Sequence, residues 1–425
     1  MIIGIDASRA NRQYKSGTEW YSYHLIRELA KIDSKNQYLL YTDKPLIGGL
    51  TNLTSDQEVE NSGIEANLEK NNSQEIISQY NNFRCKIIKQ HLPFFWTQLS
   101  LSLEMLFHPP DVLFIPAHTL PIIHPQKSVV TIHDIGFIHN QQLYSHKRIE
   151  SVSPTYTRLL NLLIKIITLG KYESNVFDYH IWSTKFTLKH AKKIITVSKF
   201  SKKEIEKFCP ANLKKIQVIY NGYNNKLYQP FVNSEKNNQV LDKYGIKQPY
   251  IFYVGRLEKK KNITTLVEAY VIMREKYKNI KHKLVLVGSA SYGFNEINYI
   301  IQEFNINSEV ILTGWVPEED MPVIYHGATA FVFPSCYEGF GIPLLQAMAC
   351  NTPIIASDIP AISEIVEDSA LLFDPLNKKD IAEAMAKIIT DDNLRKDLIA
   401  RGQRRINYFS NGKNAQETLA LLENM

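Results

Sequence analysis

Residues 331–355, FVFPSCYEGFGIPLLQAMACNTPII, narrow the fold more than any other stretch. Phe331, Val332 and Phe333 form a short apolar run that Pro334 ends. Gly339 and Gly341 follow, and glycine adopts backbone shapes that a Cβ forbids. Residues 342–349 are rich in Leu, Ala, Gln and Met, all strong helix formers. Pro343 suits a first helical turn, where a missing N–H is no loss. Residues 353–356 are short and apolar again. The segment reads as buried strand, glycine turn, helix and buried strand. Free N–H groups crowd the start of such a helix and attract phosphate. Glu338, an acid at the rim of an anion site, makes sense as a ligand for hydroxyls. A hydroxylated molecule that bears phosphate is most simply a sugar nucleotide. Taken alone the turn is weak evidence, because ordinary strand–turn–helix units look alike.

The same alternation runs along the whole chain. Apolar runs at 1–6, 37–42, 87–89, 112–115, 129–132, 194–197 and 216–219 read as strands. Between the first two, residues 20–31 place Tyr23, Leu25, Ile26, Leu29 and Ala30 on one helical face. Residues 49–82, rich in Asn, Ser, Gln and Glu, read as an exposed, mobile insertion. Residues 233–248 turn polar and read as a linker. A second set of strands follows at 250–254, 283–287, 310–312, 330–333, 353–356 and 370–373. Strands separated by helices favour parallel sheets covered on both faces. The expected class is therefore α/β, with two facing Rossmann-like domains, parallel sheets and an interdomain cleft. A length of 425 residues accommodates them. The domains are expected at 1–232 and 249–404, with a C-terminal helix at 405–425 that packs back on the first. Ligands of such sheets bind at the carboxyl ends of the strands.

Composition bounds the partners. With 44% hydrophobic and 22% charged residues, the chain is of the soluble globular kind. A net charge of +6, mostly dispersed, suits an anionic ligand or a membrane surface and leaves no nucleic-acid footprint. Cys85, Cys209, Cys336 and Cys350 lack metal-ligand spacing, which favours a reducing compartment without disulfides. The opening MIIGIDAS reads as a first strand and not a signal peptide. No apolar run reaches the roughly 18–20 residues of a spanning helix. A cytoplasmic location is the expectation.

Three further positions carry chemistry. Gly255 ends a strand and delivers Arg256 to the sheet's rim, with Lys261 one short turn later. A planar fork and a point charge fixed there suit a diphosphate. Lys259 and Lys260 read as solvated neighbours of the pair. His133, before Asp134 at the end of another strand, is placed to hydrogen-bond a sugar hydroxyl. No Ser/His/Asp spacing or metal cluster competes, and Cys336 reads as a small buried residue. A nicotinamide dehydrogenase is disfavoured, since residues 1–20 lack the three-glycine fingerprint.

These segments, with Thr313-Gly314-Trp315-Val316-Pro317, Ser357-Asp358-Ile359-Pro360-Ala361 and Ile195-Thr196-Val197-Ser198, resemble the retaining glycosyltransferase family 4 of GT-B architecture. The likeness spans nearly the whole chain. It implies a metal-independent hexosyltransferase, with no cofactor beyond its nucleotide-diphosphate sugar. Bacterial mannosyl-, rhamnosyl- and glucosyltransferases share these residues. Arg256 and Lys261 would grip the diphosphate, Glu338 the sugar hydroxyls, and the N–H groups of Phe340, Gly341 and Ile342 the sugar and phosphate. Gly314, Trp315 and Val316 would line the base pocket. Gly17 would bring backbone to the diphosphate from the first domain, and His133 would touch the sugar near the reacting carbon. Gly255, Gly288, Gly339, Leu345 and Gln346 complete the implied donor set. One position departs. The family's second glutamate, which binds the ribose, is Gln346 here. An amide still accepts and donates but loses the charge-assisted bond, so weaker ribose binding or an altered donor is expected.

The implied acceptor is a glycan or lipid-linked chain in surface polysaccharide or glycoconjugate synthesis. In residues 156–171, Arg158, Asn161, Lys165 and Thr168 form one polar stripe on an otherwise apolar helix. That helix either packs in the first domain or lies in a membrane interface beside His146, Lys147 and Arg148. The second option would put the protein peripherally on the inner face of the plasma membrane. A sugar-nucleotide epimerase or hydrolase of the same fold, or a catalytically silent partner of an active transferase, are the alternatives. Donor base, sugar, linkage and oligomeric state stay open.

Overall fold

The computed structural model describes every residue except 54–56, 60–79, 90–95, 140–174 and 231–233. The apolar segment 156–171 thus lies outside the described residues. Eight strands form the first sheet: β1 (Ile2–Asp6), β2 (Gln37–Thr42), β3 (Gln57–Val59), β4 (Phe83–Ile87), β5 (Val112–Ile115), β6 (Ser128–Ile132), β7 (Lys193–Thr196) and β8 (Ile216–Val218). Their order is β3-β4-β2-β1-β5-β6-β7-β8, and every pairing is parallel. The central strands β5 and β6 are buried at every position, as a sheet covered on both faces requires.

Six strands form the second sheet: β9 (Tyr250–Val254), β10 (Lys283–Val287), β11 (Val310–Gly314), β12 (Ala330–Phe333), β13 (Ile354–Ser357) and β14 (Leu371–Phe373). Their order, β11-β10-β9-β12-β13-β14, is again parallel throughout. This is the doubly wound dinucleotide order, which reverses between β9 and β12. In the first sheet the reversal falls between β1 and β5. Loops part at such points and open a crevice at the strands' carboxyl ends.

Two stretches differ from the sequence reading. The strand expected at 87–89 is β4, four residues earlier, where Phe83, Cys85 and Ile87 point inward and Arg84 outward. Within the expected insertion at 49–82, Gly48–Leu53 forms a 3-10 turn that buries Leu50 and Leu53, and β3 pairs with β4. An edge strand needs few apolar residues, so its polar composition hid it. The polar stretch 233–248 also holds a helix, Ser234–Lys243, that docks on the second sheet. Leu241 enters that core, while Lys243 Nζ and Tyr244 OH donate to Asp320 Oδ2 at 2.8 and 2.6 Å.

The last helix, Asn411–Glu423, returns to the first sheet. Ala415, Leu421 and Leu422 pack with Ile3, Leu25, Ile26 and Leu29, and Asn36 Nδ2 donates to Glu423 Oε1 at 3.1 Å. The returning chain crosses Gly222 so closely that a Cβ there would lie 2.1 Å from Asn411 N. Glu364 holds the two domains together from the other side. Its carboxylate accepts from the N–H groups of Lys199 and Phe200 at 2.7 and 2.8 Å and from Tyr220 OH at 2.9 Å. These two N–H groups open the helix Lys199–Phe208, so a side chain of one domain caps a helix of the other.

Candidate active site

The carboxyl ends of both sheets enclose a cavity of about 710 Å³. On the second sheet, β9 ends in Gly255 at φ +149° and β10 in Gly288 at φ +138°. A Cβ on Gly288 would lie 1.9 Å from the Gly255 carbonyl oxygen, so glycine is required for the strand ends to meet. Arg256 leaves this junction exposed at the cavity's edge, and its Nη2 donates to Ser16 Oγ of the first domain at 3.2 Å. Ser16 also opens the helix Gly17–Ile32, where its N–H donates to Glu19 Oε2 at 3.2 Å in a capping box. A Cβ on Gly17 would meet nothing within 4 Å, so open space lies over that backbone.

Lys261 Nζ donates to Glu338 Oε1 at 2.5 Å and stands 5.9 Å from the Phe333 ring. Both side chains are shielded, at 17% and 12% exposure. Past Glu338 the helix Ile342–Ala349 starts after Gly341, whose φ of +102° turns the chain upward. Among the described residues, no acceptor engages the N–H groups of Phe340, Gly341 and Ile342. They line the cavity together with Arg256, Lys261 and Glu338.

The opposite wall is the end of β6. His133 is buried against Tyr21, edge to face at 4.7 Å, and its Nε2 is 2.9 Å from the Pro116 carbonyl oxygen. A carbonyl only accepts, so Nε2 carries the proton and Nδ1 is the acceptor side of the ring. Burial lowers the pKa, against the pull of Pro116 and Asp134, so the imidazole is neutral. The two walls touch at Gly339, where a Cβ would lie 2.2 Å from the His133 carbonyl oxygen. Ser198 Oγ, also from the first domain, donates to the Gly339 carbonyl at 2.7 Å.

Gly255, Gly288, Trp315, Val316, Gly339 and Gln346 line the same cavity. Gln346 Oε1 accepts from Tyr325 OH at 3.0 Å. Two residues of the expected set do not line it. Leu345 is fully buried, and packs in the core on the inner face of its helix. Gly314 lies at the rim with φ +69° and accepts from Gly288 N–H at 2.8 Å, which shapes the neighbouring turn.

The structure adds residues that the sequence reading passed over. Lys260, read as solvated, lines the cavity 3.7 Å from Glu258. Burial opposes its charge, but Asp134, Glu258 and Glu338 outweigh that and raise its pKa. Asp134, half-buried where the first-domain wall lines the cavity, accepts from Gly136 N–H at 3.0 Å. Burial pushes its carboxyl up, while Lys260 and His118 lead the groups that bring it below the usual range. At the far end, Tyr14 meets Trp315 edge to face at 5.1 Å, and His24 Nε2 stands 3.4 Å from Glu318 Oε1. A run of three lysines gives no sign of which one turns inward.

Residues 235–405 match the family described as Glycosyl transferases group 1. The O-antigen chain mannosyltransferase B of Escherichia coli is 30% identical over 302 residues, which cover 70% of this chain and 77% of that protein. The chain belongs to the group 1 glycosyl transferases. The O-antigen chain mannosyltransferase RfbU of Salmonella typhimurium is 26% identical over 290 residues, 68% of each chain. Among solved structures, the sucrose-phosphate synthase of Thermosynechococcus elongatus superposes with a TM-score of 0.68 at 20% identity, covering 100% of this chain and 98% of that one. WaaG, a glycosyltransferase involved in lipopolysaccharide biosynthesis, gives 0.68 at 12% identity, with 99% of both chains covered. These likenesses show the fold of this group 1 enzyme: two Rossmann-like domains in the GT-B arrangement. Among the described residues, no helix is long and apolar enough to cross a membrane.

Proposed function

We propose that this glycosyltransferase moves a hexosyl group, most simply mannosyl, from a nucleotide-diphosphate sugar to a glycan or lipid-linked acceptor, with retention at the anomeric carbon. One observation carries the reading. Arg256, Lys261, Glu338 and the free N–H groups of Phe340, Gly341 and Ile342 converge on one wall, and His133 faces them from the other domain. The mannosyl choice and the glycan acceptor follow the names of the two O-antigen relatives.

In this reading the diphosphate lies between Arg256, Lys261 and the helix start. As its bond to the anomeric carbon stretches, negative charge grows on the departing oxygen. Preplaced cations and N–H groups stabilise that charge without reorganising. Glu338 accepts from sugar hydroxyls, and its pairing with Lys261 orients both groups toward the sugar–phosphate junction. Neutral His133 accepts a sugar hydroxyl proton at Nδ1 and so positions the ring. The acceptor oxygen attacks from the leaving-group face, and its proton passes to the departing phosphate oxygen. The shared contact at Gly339 keeps the cleft closed and excludes water. The epimerase and silent-partner alternatives gain no support from relatives that carry transferase names. A peripheral membrane site at the inner face suits a lipid-linked acceptor.

The test is a panel of nucleotide sugars with and without oligosaccharide and lipid-linked acceptors, scored by released nucleotide and by product. Acceptor-dependent release with an α-linked product from an α-linked donor is expected. Release that ignores the acceptor, or an inverted product, overturns the reading.

A further inference from the structure

Of the carboxylates that line the cavity, Glu338 pairs with Lys261, Glu258 and Asp134 lie beside Lys260, and Glu318 stands apart from those lysines. Glu318 follows Val316 and Pro317 and opens the 3-10 turn Glu318–Asp320. Of these three acids, Asp320 is tied outward to Lys243 and Tyr244, and Glu319 is exposed. Glu318 turns inward, and only 10% of its side chain is exposed. It lines the cavity beside Trp315, Val316, Met321 and Tyr228. From the first domain, His24 Nε2 stands 3.4 Å from its Oε1, and the His24 ring is held by stacking on Trp20 at 5.4 Å. Among the described residues, no hydrogen bond holds either of its carboxylate oxygens. An acid at a helix start needs no cavity, and Glu319 and Asp320 already serve that role.

We propose that Glu318 reads the base of the donor and selects guanine. This rests on the nucleotide-sugar reading above, and names the donor class that the same site takes. A carboxylate is acceptor-only. Guanine presents two neighbouring donors, N1–H and the N2 amino group, which match the two oxygens of one carboxylate. Uracil and thymine offer one N–H flanked by carbonyl oxygens, so the second carboxylate oxygen would face another acceptor. Adenine and cytosine set one amino group beside a ring nitrogen that accepts. Each of these leaves a shielded carboxylate oxygen against an acceptor, and sites built for hydrogen bonds reject such partners strongly. Trp315 and the Val316 backbone supply the flat, partly apolar surface on which a base lies.

The test uses the full chain and titration calorimetry with GDP, IDP, UDP, ADP, CDP and dTDP. Inosine keeps N1–H and lacks the N2 amino group, so it isolates the second contact. GDP is expected to bind roughly 10- to 100-fold more tightly than the pyrimidine and adenine diphosphates, with IDP between. Glu318→Gln is expected to bring GDP to within about threefold of UDP, by weakening GDP and by raising UDP, since the amide can accept from uracil N3–H and donate to its carbonyl. A GDP preference that survives Glu318→Gln overturns the assignment. So does any ranking of the parent protein with another base first, a result that needs no variant to fold. Equal binding of all six removes guanine selection and keeps the nucleotide site, whereas binding of none removes both.

Discussion

Gly339→Ala probes the contact between the two walls. Gly339 is outside the positive-φ glycines, so alanine adds no backbone strain there. The obstacle lies in the other domain. The new Cβ would stand 2.2 Å from the His133 carbonyl oxygen and 3.0 Å from Asp134 Cβ. It falls about 1 Å short of ordinary contact, and a displacement of that size at a reacting centre costs on the order of 100-fold in rate. A backbone carbonyl cannot rotate aside, so the easiest relief is to open the cleft. Opening separates His133 from Glu338 and stretches the bond from Ser198 Oγ to the Gly339 carbonyl, now 2.7 Å. The expected outcome is a kcat/KM lower by roughly 100-fold, with unfolding free energy changed by less than about 1 kcal/mol. Nucleotide affinity should hold, because Arg256, Lys261 and the helix-start N–H groups all stay on one domain. Steady-state turnover, calorimetry and urea denaturation measure the three quantities. A variant within about threefold of the parent in kcat/KM would refute a functional wall contact.

Four other substitutions test the same geometry. Lys261→Ala and Arg256→Ala should each lower single-turnover rates by roughly 100- to 1,000-fold; near-parental rates in both would remove the diphosphate clamp. His118, with φ +59° and half-buried beside His133, Asp134 and His180, has its pKa lowered to about 4 by desolvation, against 6.5 as the ordinary value. The unfolded chain therefore binds more protons in that window. Stability from this group is complete above about pH 6.5 and declines as pH falls toward 4, by up to about 1.4 kcal/mol per unit. His118→Asn, which tolerates the left-handed backbone, should flatten part of that decline in a melting series, and an unaltered slope would contradict the assignment. Glu364→Ala strips the acceptor from Lys199 N–H, Phe200 N–H and Tyr220 OH. A loss of about 1–2 kcal/mol in urea denaturation is expected, and no loss would show that the interdomain cap contributes nothing.

The sequence by itself determined the strand–helix alternation, the parallel sheets and the chemical character of the second domain's wall. Short apolar runs buried on both faces leave little choice of partner, and the turns that end them must be Gly255, Gly288 and Gly341 for steric reasons. These are local constraints, and local constraints are written in neighbouring residues. Only the tertiary structure decided which of Lys259, Lys260 and Lys261 face inward, that Leu345 belongs to the core, and that Glu318 meets His24 across the cleft. It also decided that Gly339 must be bare because another domain's carbonyl lies against it. Those facts depend on residues far apart in sequence, on the angle between two rigid sheets, and on a last helix that ties the second domain back to the first. No periodicity in one segment encodes an orientation between two.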